Sequence, residues 1–349
     1  FKYSEAMDTL GNILLNGGTG MRKYTTFSKG QSRFNNLLLA APSPGCVLNN
    51  RLPSVSLAAV PGRRSITLDL AVEIEERGFS GIYCPSFGDA LGLCQGIAAR
   101  TEHISIGTSI VNIYTRHPQD YASSASFIHE LSEGRFRFGV GVSHGPMNDR
   151  LSLVTGKPLS DMQKFIEEFK ATKKIGELPP VILAAMRDRM MNLGAAIGDG
   201  VVLANGARSA LRGSLQRMRE SQEISDSFFI GGMIPTCISE DREAAAAVNR
   251  KTLTMYVHLP NYRNYWKAAG YEKEMKRIEE ALQQREYGLL PSLMTDEWLS
   301  DVTLYGSASE VKEGLEKWYD AGLDTPILVP SSTSGGQLVA FQELFALFS

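Results

Sequence analysis

The sequence predicts an α/β fold in which eight strands alternate with helices and close into a (β/α)8 barrel, the TIM-barrel architecture. Three observations predict it. Residues 104–144, ISIGTSIVNIYTRHPQDYASSASFIHELSEGRFRFGVGVSH, read as strand, loop, helix and strand, and such units in succession build a parallel sheet or barrel. The stretch from residue 53 to 349 is long for one ordinary domain and normal for an eightfold barrel. Val181–Ala185 is an uninterrupted apolar run, as expected of a strand buried on both faces. An open, doubly wound sheet is the alternative arrangement of the same elements.

Val55, Leu57 and Ala59 alternate as strand one, which ends at Pro61-Gly62. Ser65 is positioned to cap a helix whose Ile66, Leu70 and Ile74 face inward, with Gly78 just past its end. Phe79–Cys84 is strand two, followed by the loop to Asp89 and a helix through Arg100. Strand three carries Ile104, Ile106, Thr108 and Ile110 on one face. Pro118 suits a first helical turn, and Tyr121, Ala125, Ile128 and Leu131 form the apolar stripe of a helix that Glu133-Gly134 ends. Strand four places Phe136, Phe138, Val140 and Val142 on one face and Arg137, Gly139 and Gly141 on the other. A helix over 158–174, with Ser160 as its cap, leads to strand five at Val181–Ala185.

Met190, Leu193, Gly194 and Ile197 mark the next helix, Val201–Ala204 strand six, and Ala207–Glu220 another helix. Phe228–Ile234 is strand seven, and Ser239 caps an Ala-rich helix running to about Val257. A largely helical insertion at about 258–306 then separates strands seven and eight; it contains Pro260, Tyr262, Tyr265, Trp266 and Trp298. Ser307 and Glu310 have capping-box spacing. Ile327–Val329 is strand eight and Gln337–Phe348 the closing helix.

Residues 1–52 stand apart. They show no sustained periodicity and read as a disordered leader or an extension outside the barrel. Met21-Arg22-Lys23 followed by Leu37–Ala41 only faintly resembles a secretory signal. A net charge of −2 gives no electrostatic reason to expect nucleic acid or an anionic membrane. No apolar run approaches a membrane span. Cys46, Cys84, Cys94 and Cys237 show no CxxC spacing and read as reduced thiols of a cytoplasmic protein.

A barrel of this kind works at the C-terminal ends of its strands. The rim is therefore Ser86–Asp89, Ser109–Arg116, Gly141–Asn148, Ala184–Arg189, Asn205–Arg208, Pro235–Cys237 and Ser331–Gly336. No Lys ends a strand, which argues against a Schiff-base aldolase. The five histidines are scattered and no strand carries His-x-His, so no metal centre is expected. There is neither a G-x-S-x-G elbow nor a P-loop. A polar, Gly-rich rim with few strong acids or bases suits a site whose reactive atoms belong to a cofactor. Each rim feature also has a plain structural reading. Gly139 and Gly141 fit close packing, His117 a helix cap, and His144 a surface loop. Arg187 and Arg189 fit a solvated helix face, or a phosphate site at the first turn after a buried strand. The aromatic insertion fits either core packing or a lid.

The pieces GFSGIYCPS, ARTEHISIGTSIVN, YTRHP, ELSEGRFRFGVGVSHG and MRDRMMNLGAAIGDGVV, in this order, resemble the luciferase-like superfamily of flavin- and deazaflavin-dependent oxidoreductases. YTRHP is similar to the coenzyme F420-dependent branch that includes methylenetetrahydromethanopterin reductases. The resemblance implies hydride transfer between F420 or FMN and a small organic substrate, in a homodimer or higher homo-oligomer. It implies a bulge with a non-prolyl cis peptide at Ser109-Ile110, and cofactor contacts from Gly141, Val142, Ser143 and His144 and from Ala184, Ala185, Met186, Arg187 and Arg189. Arg187-Asp188 stands where Gly-Pro is frequent, and PSFGDALG lacks the Asp-His pair common after strand two, so no general acid carries over. His144, Tyr114 and Asn112 are the remaining catalytic candidates. An FMN-dependent monooxygenase that activates oxygen, and a barrel that binds cofactor or ligand without turnover, are the alternatives.

Overall fold

The computed structural model describes residues 52–86 and 88–349. The expected leader therefore lies outside the described residues except for Leu52, which bridges Phe79 and packs against the core. Eight parallel strands form the closed barrel. They are β1 (Ser54–Ser56), β2 (Gly81–Cys84), β3 (Ser105–Thr108), β5 (Phe136–Gly141), β6 (Val181–Ala184), β7 (Gly200–Ala204), β8 (Phe229–Ile238) and β10 (Thr325–Ser331). The ring closes because β10 pairs with β8 on one side and with β1 on the other, at Ser54 opposite Ile327. Two short strands are extra. β4 (Val111–Asn112) pairs with the end of β5, and β9 (Leu304–Gly306) pairs with the tail of β8. The open-sheet alternative is thereby ruled out.

Period-two alternation divides the strands between two environments. Phe136, Phe138 and Val140 point outward into the main core under the helices. Tyr83, Ile182, Val202, Phe229 and Ile327 form a separate cluster that fills the lumen. Arg137, on the same strand face as Gly139 and Gly141, lies in this interior, with its guanidinium 5.4 Å from the Phe229 ring centre. The lower lumen is thus packed, and the open end is the C-terminal one.

The outer layer begins with α1 (Arg64–Glu76), α2 (Ala90–Ala98), α3 (Pro118–Leu131), α4 (Gly145–Arg150) and α5 (Pro158–Ala171). It continues with α6 (Asp188–Ile197), α7 (Arg208–Ser221), α8 (Arg242–Val257), α13 (Ala308–Asp320) and α14 (Gln337–Leu347). In α1 the buried stripe is Thr67, Leu70, Ala71 and Ile74, whereas Ile66, expected inside, is 48% exposed. Leu131 likewise leaves the stripe of α3 and is 39% exposed, because that helix ends there. Ser65 and Ser160 lie within their helices rather than at the caps, which are Arg63 and Lys157. Asp241, not Ser239, caps α8 by accepting from Ala244 N–H. Ser307 and Glu310 do form the capping box of α13.

The insertion comprises α9 (Pro260–Ala268), α10 (Glu272–Gln284), α11 (Leu290–Leu293), α12 (Asp296–Val302) and β9. With α8 it builds its own apolar core around Trp266, Trp298, Met275, Ile278 and Leu253. It is fastened to the residues after β7. Tyr265 hydroxyl accepts from Ala207 N–H at 2.9 Å, and Trp266 Nε1 donates to the Asn205 carbonyl at 3.1 Å. Buried Asp301 accepts from Ser209 N–H at 3.0 Å and Ser209 Oγ at 2.6 Å, placing a negative charge at the N-terminus of α7. Among the described residues no helix is long and apolar enough to cross a membrane. Cys84, Cys94 and Cys237 are free and buried; Cys46 lies outside the described residues.

Candidate functional site

The floor of the barrel mouth is set where β3 and β5 part company. Thr108 Oγ1 donates to the Gly139 carbonyl at 2.7 Å and accepts from Gly139 N–H at 2.9 Å, taking over from the backbone ladder. This close approach needs glycine: a Cβ at 139 would stand 1.9 Å from the Thr108 carbonyl oxygen. The chain then turns through Ser109 and Ile110, and the peptide bond between them is cis. Ser109 N–H donates to the Cys84 carbonyl at 2.7 Å, while its buried hydroxyl has no partner. Ile110 lies over Gly141, where a Cβ would meet Ile110 Cδ1 at 2.6 Å and Ala184 Cβ at 3.1 Å. Ser109, Ile110, Gly141 and Ala184 thus form one continuous floor, the Ile110 side chain laid over two small residues, with a single orphan hydroxyl.

Asn112 and Tyr114 are occupied in holding the loop above this floor. Asn112 Nδ2 donates to Asn148 Oδ1 at 2.9 Å, and Asn148 Nδ2 donates to the Val142 carbonyl at 3.1 Å. The Asn112 carbonyl accepts from Tyr121 hydroxyl at 2.7 Å and Thr115 hydroxyl at 2.9 Å. Tyr114 hydroxyl donates to Asp161 at 2.6 Å, and Asp161 also accepts from Gly156 N–H. Burial, with the Asp161 carboxylate beside it, pushes the Tyr114 phenol well above its ordinary value. Neither residue offers a free acid. His117 accepts from Gln119 N–H and is a helix cap.

The loop after β5 passes through Ser143, which is left-handed at φ 56°, to His144. His144 precedes α4, makes no side-chain cap bond, and leaves Nδ1 buried without a partner. Its ring lies 5.6 Å from Tyr262 and 6.5 Å from Tyr256, both from the α8–α9 region. Burial pushes His144 down to about 4, so the imidazole is neutral at pH 7. At the end of β6, Ala185 N–H bonds back to the Val202 carbonyl, and Met186 packs against both apolar cores. Arg187 and Arg189 are exposed on either side of Asp188, which pairs with Arg217 at 2.7 Å. No hydrogen bond ties either arginine to the rest of the mouth among the described residues.

Asn205, which the sequence places on the rim only as the first residue of Asn205–Arg208 and with no role of its own, is a further neighbour. It directly follows β7 in the left-handed region at φ 56°, is 4% exposed, and its side chain lies against the Tyr256 hydroxyl. The only sequence signal for it was an Asn-Gly pair directly after a strand, which reads first as a turn. The mouth therefore offers hydroxyl, amide, neutral imidazole and aromatic surfaces. Among the described residues no three His, Cys, Asp or Glu side chains gather as metal ligands.

Residues 52–325 match the family model described as luciferase-like monooxygenase. The 5,10-methylenetetrahydromethanopterin reductase of Archaeoglobus fulgidus is 23% identical over 258 residues, covering 65% of this chain and 77% of that protein. In structure, the coenzyme F420 dependent tetrahydromethanopterin reductase from Methanopyrus kandleri superposes with a TM-score of 0.67 at 16% identity, over 85% of this chain and 97% of the other. The oxygenating constituent of 3,6-diketocamphane monooxygenase from Pseudomonas putida, in complex with FMN, gives a TM-score of 0.55 at 15% identity, over 85% and 96%.

Proposed function

Because the chain belongs to the luciferase-like monooxygenase family, we propose that it is an oxidoreductase that holds F420 in the barrel mouth and exchanges hydride with a small organic substrate. The observation that carries the reading is the floor: Ile110 set over Gly141 and Ala184, beside the orphan Ser109 hydroxyl. A flat, largely apolar ring with polar edges fits such a floor, since burial favours its faces and the hydroxyl gains the partner it lacks. When bound there, a deazaflavin or flavin ring supplies the hydride chemistry that no side chain of the mouth supplies. The chain's own residues bind and orient. Ile110 backs the ring, Ser109 meets its edge, and the loop Gly141, Val142, Ser143 and His144 borders it. Ala184, Ala185 and Met186 close the β6 side, with Arg187 and Arg189 at the rim where a phosphate tail would leave. The aromatic insertion walls the mouth from water.

What supports F420 over FMN is the YTRHP loop, together with similarity over 258 residues to a methylenetetrahydromethanopterin reductase and a fold shared with a coenzyme F420 dependent reductase. The test is to titrate the purified protein with F420 and with FMN separately, following ring absorbance and fluorescence. Tight F420 binding without oxygen consumption is the expected result. FMN binding with substrate-dependent oxygen uptake would replace the reading by the monooxygenase. Binding of a cofactor without turnover of any ketone, aldehyde or alcohol would favour the non-catalytic barrel, and binding of neither would sink both.

A further inference from the structure

The loop after β5 is held in an unfavoured shape. Ser143 carries a side chain in the left-handed region at φ 56°, where glycine is the less strained choice. A residue keeps such a conformation only when its surroundings over-determine it. Here a single residue restrains both of its neighbours. Asn148 Nδ2 donates to the Val142 carbonyl at 3.1 Å, and Asn148 N–H donates to the His144 carbonyl at 3.0 Å. Ser143 is thereby closed into a small ring. Asn148 is 5% exposed, and its amide oxygen is occupied as well, accepting from Asn112 Nδ2 at 2.9 Å. Asn112 Oδ1 in turn accepts from Tyr114 N–H at 3.1 Å. The donors all point one way, from Tyr114 N–H through two amides to the Val142 carbonyl. Bonds aligned head to tail in a buried setting polarise and strengthen one another. The chain joins the loop that continues the Ser109-Ile110 floor to the loop that leads into α4.

We propose that Asn148 is a positioning residue of the site: through the Val142 carbonyl, and braced by Asn112, it sets the shape of the Val142–His144 loop and so the border offered to the cofactor. The cofactor half of this rests on the reading that the ring occupies the floor; the loop half does not. Asn148 meets no reacting atom itself. A leucine in its place would fill the same space, yet would leave the Val142 carbonyl and the Asn112 amide without their partner. The loop then gains by opening to water, which satisfies both groups. Opening would also lift the His144 ring from its place beside Tyr262, 5.6 Å away in the closed loop. The loop and the ring it carries are therefore kept in register by one buried amide.

The variants are Asn148→Leu, Asn112→Ala and the two combined, with Asn249→Ala as control. Asn249 is buried in the insertion core and donates to the Leu304 carbonyl at 3.0 Å, so its loss removes the same kind of bond from a different place. The first measurement needs no ligand. The His144 ring protons, assigned by NMR against His144→Phe, titrate near 4 in the unaltered protein. In Asn148→Leu they should titrate higher by about one pH unit or more, because the released imidazole meets water. The control should leave them in place. In separate titrations with F420 and with FMN, Asn148→Leu should weaken the cofactor that binds by about tenfold, and the control should not. The double variant should be no weaker than the weaker single one, since a chain broken twice loses little more. An unmoved His144 in Asn148→Leu overturns the proposal, as does a shifted His144 with unaltered cofactor affinity. An equal response in the control overturns it too, since lost stability would then explain both readings, and an additive double variant would make the two amides independent. Should Asn148→Leu fail to fold, Asn112→Ala breaks the chain one bond earlier and carries the same readings. If the unaltered protein binds neither F420 nor FMN, the functional reading falls and the His144 titration alone decides the role of Asn148.

Discussion

Burial rather than residue type decides what His144 can do. The folded chain titrates it near 4 because burial disfavours the imidazolium, whereas the unfolded chain takes the proton near its ordinary value of 6.5. Between these values the unfolded state holds more protons, so stability falls as pH drops from 6.5 toward 4. Urea unfolding across that window should show this slope in the native chain and a shallower one in His144→Phe. The His144 ring protons in NMR spectra should not move between pH 5.5 and 8. At the rim, Arg189→Ala should weaken F420 or FMN by about 1–3 kcal/mol, if a charge-assisted bond to phosphate is lost. Riboflavin should be indifferent to the change, and equal weakening of both would show that Arg189 does not meet phosphate. Single residues were legible where backbone geometry demands a type. Gly139 fits only as glycine and His117 caps its helix, as their spacing suggests. Asn205 was legible only as a rim position, because an Asn-Gly pair signals a turn and nothing local reveals its burial against Tyr256.

The element that pattern reading undervalued is the insertion. Its helices were expected, but not that they pack with α8 into a second core, nor that β9 joins the tail of β8. A three-residue strand has too short a period to detect, and β8 outran its expected end by four residues because β9 lies alongside that tail. Helix starts were misjudged for a related reason. Ser65, Ser160 and Ser239 are all good cap residues, and which nearby residue wins depends on where the preceding strand releases the chain. The attachment to β7 can be probed directly. Tyr265→Phe removes the acceptor of a buried backbone N–H at Ala207 and should cost about 1–3 kcal/mol in denaturant unfolding. Hydrogen exchange at Ala207 should accelerate with it. A neutral effect would mean that Asp301 and Trp266 alone fix the insertion.

At the scale of the whole molecule, the order and number of barrel strands were readable because each strand-helix unit repeats the same period change. The closure itself was not, since it joins Ser54 to Ile327 across almost the entire described chain. Gln337 reinforces that closure by accepting from Ala58 N–H at 2.9 Å and donating to the Ala58 carbonyl at 3.2 Å. Gln337→Ala strands two buried backbone groups and should destabilise the protein by about 2–4 kcal/mol, read from its urea midpoint. Residues 1–51 should contribute nothing comparable. A variant lacking them is expected to keep the thermal midpoint and cofactor affinity, and a large loss of either would show that they pack on the barrel. The seam also dictates a timetable for the ribosome. β10 follows its partner β1 out of the exit tunnel only after a wait on the order of tens of seconds at about 5–20 residues per second. Until then the nascent sheet carries bare edges at β1 and β8, both open to pairing with a neighbouring chain. Growth temperature and translation speed should therefore govern the yield of native protein more than the stability of the finished barrel does.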